Sequence, residues 1–343
     1  MRLPLARPHS RLFLVGDRSA DWSIADDVRR LAETARRLGI RLGPSRLGPH
    51  VDGQAVFYAS QFVLLADGER WPRSRLGVAY LHGRPGTPGF PEFDRCFETL
   101  RRRHEELDRV QVSHAAMHEL VLETGIDPAK VRRIPIGVDT AEFAPGPRTR
   151  AALGVPEQAF AVGSLLKDGV GWGDGLEPKA IKGPDVLLRA LELLKPRVPE
   201  LLVLLTGPAR GFVKAGLERL GIPYRHLAVK RDDLPRVYRA LDVCLVASRQ
   251  EGGPKAVLES MASGVPLVTT RVGQAAELVR NGENGFVVDV EDAEGLAGWV
   301  ERIHGGIDLG PLREAARRTA EANSYEALTP RWHELLEGFV ALP

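Results

Sequence analysis

Cysteine is nearly absent from this chain of 343 residues: Cys96 and Cys244 are the only two, far apart and each inside an apolar pattern. That excludes a disulfide scaffold and a zinc cluster, and it fits a reducing compartment. Long apolar runs are lacking as well. The opening MRLPLARPHSRLFLVG is broken by Pro and Arg before it reaches the length of a leader or a membrane span, so neither is expected there and a cytoplasmic protein is expected. The first strand-to-helix turn, GDRSAD, lacks G-x-G-x-x-G, the glycine fingerprint of a nicotinamide oxidoreductase. No internal repeat is present. A dominant charge is missing too, since 47 Lys and Arg face 45 Asp and Glu, a net charge of +2. The charge is uneven: 24 basic against 19 acidic residues over 1–150 give +5, and the remaining 23 against 26 give −3. Such a split suits an N-terminal half facing an anionic acceptor or, peripherally, the inner face of a membrane, and equally an ordinary unevenness of surface charge. Arg101, Arg102 and Arg103 are followed at once by Glu105 and Glu106, so this cluster reads as a solvated helix face rather than a nucleic-acid patch.

What is present is an ordinary globular composition, 43% apolar and 27% charged, in a chain long enough for two domains. Strands are expected at RLFLVG (11–16), AVFYAS (55–60), RLGVAYLHG (75–83) and RVQVSH (109–114). Helices are expected after Ser23, where Ile24, Val28, Leu31 and Ala35 share a face, over roughly Phe90 to Asp108, and from Ala115 with Ser113 as its cap. From Ala159 the alternation restarts: AFAVGSLL, GPDVLLRALELL, LLVLLTGP, FVKAGLERLG, PYRHLAV, DDLPRVYRAL, DVCLVAS, and later PLVTTRV, QAAELVRNG and GFVVDV. Regular strand and helix alternation predicts parallel sheets in both halves. PGPRTR (145–150) has linker composition, and LREAARRTAEANSYEALTPRWHELLEGFV forms a final helical region. His114 and His118 have the spacing of a metal pair, with no third ligand in view.

One stretch organises the rest. In RQEGGPKAVLESMASGVPLV (249–268), Glu251 follows the apolar strand DVCLVAS, and Gly252 and Gly253 make a turn. Pro254 suits the first turn of a helix carrying Val257, Leu258 and Met261, and Gly264 suits its end. Ligands of open α/β sheets bind beyond the carboxyl ends of the strands, where helix N-termini offer N–H groups to anions. Glu251 is therefore placed to meet a ligand, and Glu259, two turns into the helix, is within reach of the same crevice. His82 closes another β-rich run before the loop RPGTPG and should project from the same kind of edge.

Acid, small turn, acid, Gly-x-Pro and β-rich strand together resemble the donor-binding signature of retaining glycosyltransferases of family 4 (group 1), which have the two-domain GT-B fold. The resemblance implies an α/β protein of two Rossmann-like domains with parallel sheets. Residues 1–148 would form an acceptor-side domain, 149–312 a nucleotide-sugar donor domain, and 313–343 a helical segment crossing back to the first. KVRRIPIGVDTAEFAP (130–145) looks like the passage that ends the family's first domain, which here is short. The implied activity is metal-independent transfer of a sugar from a UDP- or GDP-linked donor to a hydroxyl acceptor, with retention and no further cofactor. By the resemblance Glu251 contacts the sugar hydroxyls, with Gly252 and Gly253 adding N–H groups. Glu259 holds the ribose, and His82 lies near sugar and phosphates.

VGSLLKDGVGWGDGLEPKAIKG (162–183) resembles the family's diphosphate-binding passage, with Lys182 at the position of its lysine. Ser164 stands where the family has arginine, so Lys167 or Lys179 would have to supply that charge. The intervening glycine-rich loop reads as a lid over the donor or as a flexible insertion. Gly16 reads as a phosphate contact or as a glycine ending a strand, and Lys255 as a donor contact or a solvated lysine. Two other functions use the same fold: a sugar-nucleotide epimerase or phosphorylase, and a non-catalytic nucleotide-sugar binder.

Overall fold

The structure, a computed structural model, describes residues 9–16, 23–67 and 71–342. It divides into two compact units: residues up to Ile136 together with those from Tyr325 onward, and Gly137–Ser324. Unit 1 is built on six parallel strands, β1 (Leu12–Val15), β2 (Leu42–Gly43), β3 (Ala55–Tyr58), β4 (Arg75–Tyr80), β5 (Arg109–Val112) and β6 (Val131–Arg133). Their order is β2-β1-β3-β4-β5-β6. The residues of β1 and β3 are all buried, as expected for short apolar runs covered on both faces. Helices α1 (Ser23–Arg37), α2 (Gln61–Ala66), α3 (Pro91–Arg103) and α4 (Ala115–Leu122) connect them. Val28, Leu31 and Ala35 of α1 are buried as their spacing predicts. The side chains of Ser23 and Ile24, and the turn at residues 17–22, lie outside the described residues.

Two local expectations are corrected here. The long helix ends at Arg103 rather than near Asp108, because His104–Glu106 tighten into a 3-10 turn that leads directly into β5. Ser113 does not cap α4. Its hydroxyl donates to the carbonyl of Leu81 at 2.9 Å, and His114 takes the cap position without a side-chain bond.

Unit 2 holds β7 (Phe160–Ser164), β8 (Leu201–Thr206), β9 (Tyr224–Leu227), β10 (Val243–Val246), β11 (Leu267–Thr270) and β12 (Phe286–Val288). All are parallel, in the order β12-β11-β10-β7-β8-β9. The helices are α5 (Pro184–Leu194), α6 (Gly211–Leu220), α7 (Leu234–Tyr238), α8 (Lys255–Ala262), α9 (Ala275–Leu278), α10 (Ala293–His304) and α11 (Gly310–Ala322). Leu187, Leu191 and Leu194 of α5 are buried with Val300 and Ile303 of α10 against β8 and β10. Each such side chain contributes about 1.5–3 kcal/mol.

The two ends of unit 2 differ from the expected boundaries at 148 and 312. PGPRTR has the composition of a linker, yet Arg150 is 1% exposed. Its guanidinium donates to the carbonyls of Ala240, Glu157 and Ala159 and pairs with Asp242. At the other end, Ala316 and Ala320 of α11 enter the same apolar cluster as Val257 and Met261 of α8. Of the final helical region, α12 (Thr329–Leu336) alone lies in unit 1. There Trp332, Leu335 and Leu336 join Phe57 and Leu14, and the Trp332 ring meets Phe57 edge-on at 5.9 Å. Arg109 fixes the end of α12 by donating to the carbonyls of Leu335 and Glu337. The final helical region is thus two helices with different cores.

Candidate functional site

In unit 2 the strand order reverses between β7 and β10, which pair directly although they are far apart in sequence. Chain leaving the carboxyl ends of two such strands diverges and leaves a crevice, the usual ligand position of an open parallel sheet. The segments that follow β7 and β10 carry Lys167, Lys182 and Glu251. Two backbone devices bring them together. The N–H groups of Arg249 and Gln250 both donate to the carbonyl of Ile181, at 2.9 and 3.0 Å. Gly183, at φ +60°, passes so close to β10's end that a Cβ there would lie 2.0 Å from the Ala247 carbonyl oxygen. A side chain at 183 would be both strained and obstructed, so glycine at 183 is a requirement of this approach.

The result is a direct contact. Lys182 Nζ donates to Glu251 Oε1 at 2.6 Å, and Ser248 Oγ donates to the same oxygen at 3.0 Å. Glu251 is 8% exposed, while the Lys182 side chain keeps 20% of its surface open. Behind them, Thr270 Oγ1 donates to the Ser248 carbonyl at 2.5 Å and Gln274 N–H to the Gly252 carbonyl at 2.9 Å. Gly253 faces the Gln274 side chain. The turn that bears Glu251 is therefore held from β11's side as well.

Arg249, a residue the sequence reading did not single out, adds a lock. Its guanidinium forks onto both carboxylate oxygens of Asp185, at 2.7 and 2.6 Å, and pairs with Glu291. The hydrogen bond from Arg249 holds Asp185 below its ordinary value. Asp185 sits in the first turn of α5, so Arg249 ties the start of that helix to the Glu251 turn.

Lys167 is the second cation of the cluster. Its ammonium lies 4.2 Å from the centre of the Trp172 ring, and its pKa is lowered, chiefly by burial and further by the charge on Lys182. Lys179 instead uses its backbone N–H to close the hairpin onto the Asp168 carbonyl at 2.8 Å. Ser164, where an arginine was expected by resemblance, is 3% exposed and faces Arg210, which donates to its carbonyl at 2.7 Å and its Oγ at 3.1 Å. Arg210 is itself 1% exposed, so its guanidinium is committed to the protein interior.

Glu259 occupies a different environment. It is 4% exposed on α8, paired with Arg231 through Oε1 and accepting from Tyr238 Oη at 2.9 Å through Oε2. Burial first, and the Glu259 charge second, push the Tyr238 phenol well above its usual value, so it stays a donor. Lys255 opens α8, and Pro254 is its N-cap in extended conformation rather than a first-turn residue. Gly264 follows the helix at φ +70°, as its expected role at the end requires.

The remaining residues belong to unit 1. His82 follows β4, with its ring 5.3 Å from Phe62 and 6.0 Å from Phe93. Gln61 Nε2 donates to its carbonyl, and Gln61 Oε1 accepts from Leu81 N–H at 3.3 Å. Gly16 ends β1 where a Cβ would lie 2.3 Å from Val28 Cγ2, so close helix packing already demands a glycine there. His114 is buried with Nδ1 2.9 Å from Ser113 Oγ, whereas His118 Nδ1 faces Glu119 Oε1 at 3.3 Å. Among the described residues no group of three or more His, Cys, Asp or Glu side chains is arranged to hold a metal. No described helix is long and apolar enough to cross a membrane.

Known proteins share this fold. HepE of Anabaena, solved with UDP and glucose, superposes with a TM-score of 0.74 at 19% identity, covering 96% of this chain and 99% of that one. Sucrose-phosphate synthase of Thermosynechococcus elongatus gives 0.68 at 20% identity, covering 86% and 75%. These likenesses establish the GT-B fold. In sequence, the D-inositol 3-phosphate glycosyltransferase of Acidothermus cellulolyticus is 33% identical over 241 residues, 65% of this chain and 50% of the relative. The same-named protein of Saccharomonospora viridis is 32% identical over 259 residues, 68% of this chain and 57% of the relative. The chain thus spans about half the length of the curated relatives it matches. The stretch that joins Lys182, Glu251 and Glu259 falls inside residues 173–305, which match the family of glycosyl transferases group 1.

Proposed function

We propose that the protein transfers a sugar from a nucleoside-diphosphate sugar to a hydroxyl acceptor, with retention of anomeric configuration and without a bound metal. The observation that carries this reading is the 2.6 Å contact between Lys182 and Glu251 where unit 2's strand order reverses. In such a donor the diphosphate and the sugar hydroxyls are neighbours, and here a cation and a hydroxyl acceptor are neighbours too. Lys182 and Lys167, together with the N-terminus of α5, meet the diphosphate and stabilise the charge that develops as it departs. Glu251 accepts hydrogen bonds from the sugar. Glu259, fixed by Arg231 and Tyr238, accepts from the ribose. Gly252 and Gly253 shape backbone contacts to the sugar, and His82 and Gly16 are proposed as donor contacts on the family resemblance alone.

Retention follows a front-face course. The bond from the anomeric carbon to the phosphate oxygen breaks, and the acceptor oxygen bonds to that carbon on the same side. The acceptor's proton passes to the departing phosphate oxygen, so the protein supplies no nucleophile. Its task is positioning and charge stabilisation. UDP heads the list of donors to try because HepE is solved with UDP and with UDP-glucose, and GDP follows. The inositol phosphate in the curated relatives' name makes a phosphorylated cyclitol the first acceptor to try. A cytoplasmic enzyme with its basic N-terminal half toward an anionic acceptor or membrane surface agrees with the charge split.

The test is a panel of UDP-, GDP- and ADP-sugars scored by thermal shift, then by hydrolysis and transfer. A stabilising donor that is consumed supports the enzyme. Stabilisation without consumption favours a binder, and no stabilisation by any donor contradicts the reading.

A further inference from the structure

A buried ion pair sits at the root of the hairpin that separates Lys167 from Lys179. Arg210 Nη2 lies 2.9 Å from Asp168 Oδ2, and both side chains are almost wholly enclosed. The hairpin closes by a bridge between Gly169 and Pro178 and by the hydrogen bond from Val170 N–H to the Glu177 carbonyl at 2.9 Å. It is docked as well as closed. The N–H groups of Gly211 and Phe212, at the start of α6, donate to the carbonyls of Asp174 and Gly175 at 2.6 and 2.8 Å. Arg210 is the adjoining residue, and its other donors reach back to the carbonyls of Ser164 and Thr206. One guanidinium thereby ties together the end of β7, the end of β8 and the first residue of the hairpin. The tip, in contrast, is open: Trp172 is 62% and Leu176 68% exposed.

The attraction between the two charges is not by itself a source of stability. Burial is the largest influence on both partners, raising the Asp168 carboxyl and lowering Arg210 despite their mutual attraction. Asp168 Oδ1 and Arg210 Nε also have no hydrogen-bond partner among the described residues. Apolar side chains of similar volume generally serve stability as well as such a pair or better. What the pair does supply is a fixed location for Asp168, and so for the residue before it.

We propose that Arg210 and Asp168 are positioning residues for Lys167, clamping the root of the hairpin so that the Lys167 ammonium meets the same diphosphate as Lys182. The inference rests on the donor-site reading above. It makes the hairpin a docked strap whose root is rigid, and it assigns Arg210 an indirect part in binding where Ser164 replaces the arginine.

The experiment is a titration with UDP and GDP of five proteins: wild type, Lys182→Gln, Lys167→Gln, the pair replacement Asp168→Leu with Arg210→Met, and that replacement combined with Lys167→Gln. The pair replacement is expected to fold, with a lowered Tm because the buried carbonyls of Ser164 and Thr206 lose their donor, and to weaken nucleotide affinity about tenfold, the scale of one misplaced charge-assisted contact. In the Lys167→Gln background the further loss should be less than about twofold, because the clamp acts through Lys167. A purely structural role would give the same loss in both backgrounds. That result, an unchanged affinity, or a pair replacement that does not fold would each overturn the proposal. Wild type binding neither nucleotide, or Lys182→Gln binding as tightly as wild type, would strike the donor-site reading instead.

Discussion

The two sheets end in chemically different ways. At the carboxyl edge of unit 2, the segments after β7 and β10 converge on two lysines, a serine and a glutamate, braced by the Arg249 fork. In unit 1, the segment after β4 ends in a histidine among Phe62 and Phe93, held by Gln61 through the backbone. Parallel sheets of six strands underlie both, so architecture does not cause the difference. Loop chemistry does: the segments after β7 and β10 gather charge fit for a diphosphate, whereas the segment after β4 sets a histidine ring beside two phenylalanines.

If that contrast is functional, the largest effects belong to unit 2. Lys182→Ala and Glu251→Ala should each lower transfer about 100-fold, the scale seen when one preorganised electrostatic group is removed. Circular dichroism should show both variants folded, and steady-state assays with the best donor would read the loss. Near-wild-type rates in both would break the comparison at its stronger end. Next comes Arg150→Ala, far from any site residue in role. It leaves three carbonyls without their guanidinium, while Asp242 keeps Arg148 and the Ala161 N–H, and should cost about 3 kcal/mol of stability. Chemical denaturation measures this, and the kcat of the surviving folded protein should be unchanged.

His82→Ala should lower kcat about tenfold while leaving UDP affinity within about twofold, as expected of a group acting on the reacting sugar rather than on the nucleotide. An affinity loss equal to that of Lys182→Ala would erase the distinction between the two edges. Smallest is Trp172→Ala, which removes the ring beside the Lys167 ammonium, a contact worth about 0.5–1 kcal/mol. Nucleotide affinity should change about two- to fivefold.

A pH titration sharpens the role of Lys167. Its pKa is lowered by burial and by Lys182. Binding of the dianionic diphosphate requires the charged amine, so affinity is full below that reduced pKa and falls as pH rises through it, earlier than an ordinary lysine would allow. In Lys167→Gln the early decline should vanish.

Much of this was legible in the sequence. Apolar β-rich runs marked the core strands, and the 249–268 stretch marked Glu251, its turn and its helix. Lys182 stood out because a glycine follows it, and the close approach of Gly183 to Ala247 is the physical reason for that glycine. Other features depend on contacts that no local pattern records. Arg150 looked like part of a linker because its partners, at Ala240 and Asp242, are some ninety residues away in sequence. Arg210 and Arg249 carry no local signal, because their partners come from β7, β8 and α5. Helix α10 carries buried Leu296, Val300 and Ile303 at helical spacing, but Gly295 and Gly298 weaken its propensity and hid it. The break between α11 and α12 was invisible because both helices are amphipathic, and only packing decides which core each joins.

The central claim is that Lys182 and Glu251 hold the diphosphate and sugar of one donor. Isothermal titration of UDP and UDP-glucose, or of whichever donor pair leads the panel, into wild type, Lys182→Ala and Glu251→Ala tests it most directly. The account predicts that Lys182→Ala weakens both ligands about tenfold or more, whereas Glu251→Ala weakens the nucleotide sugar and leaves the free nucleotide within about twofold. Equal affinities for both ligands across all three proteins would contradict it.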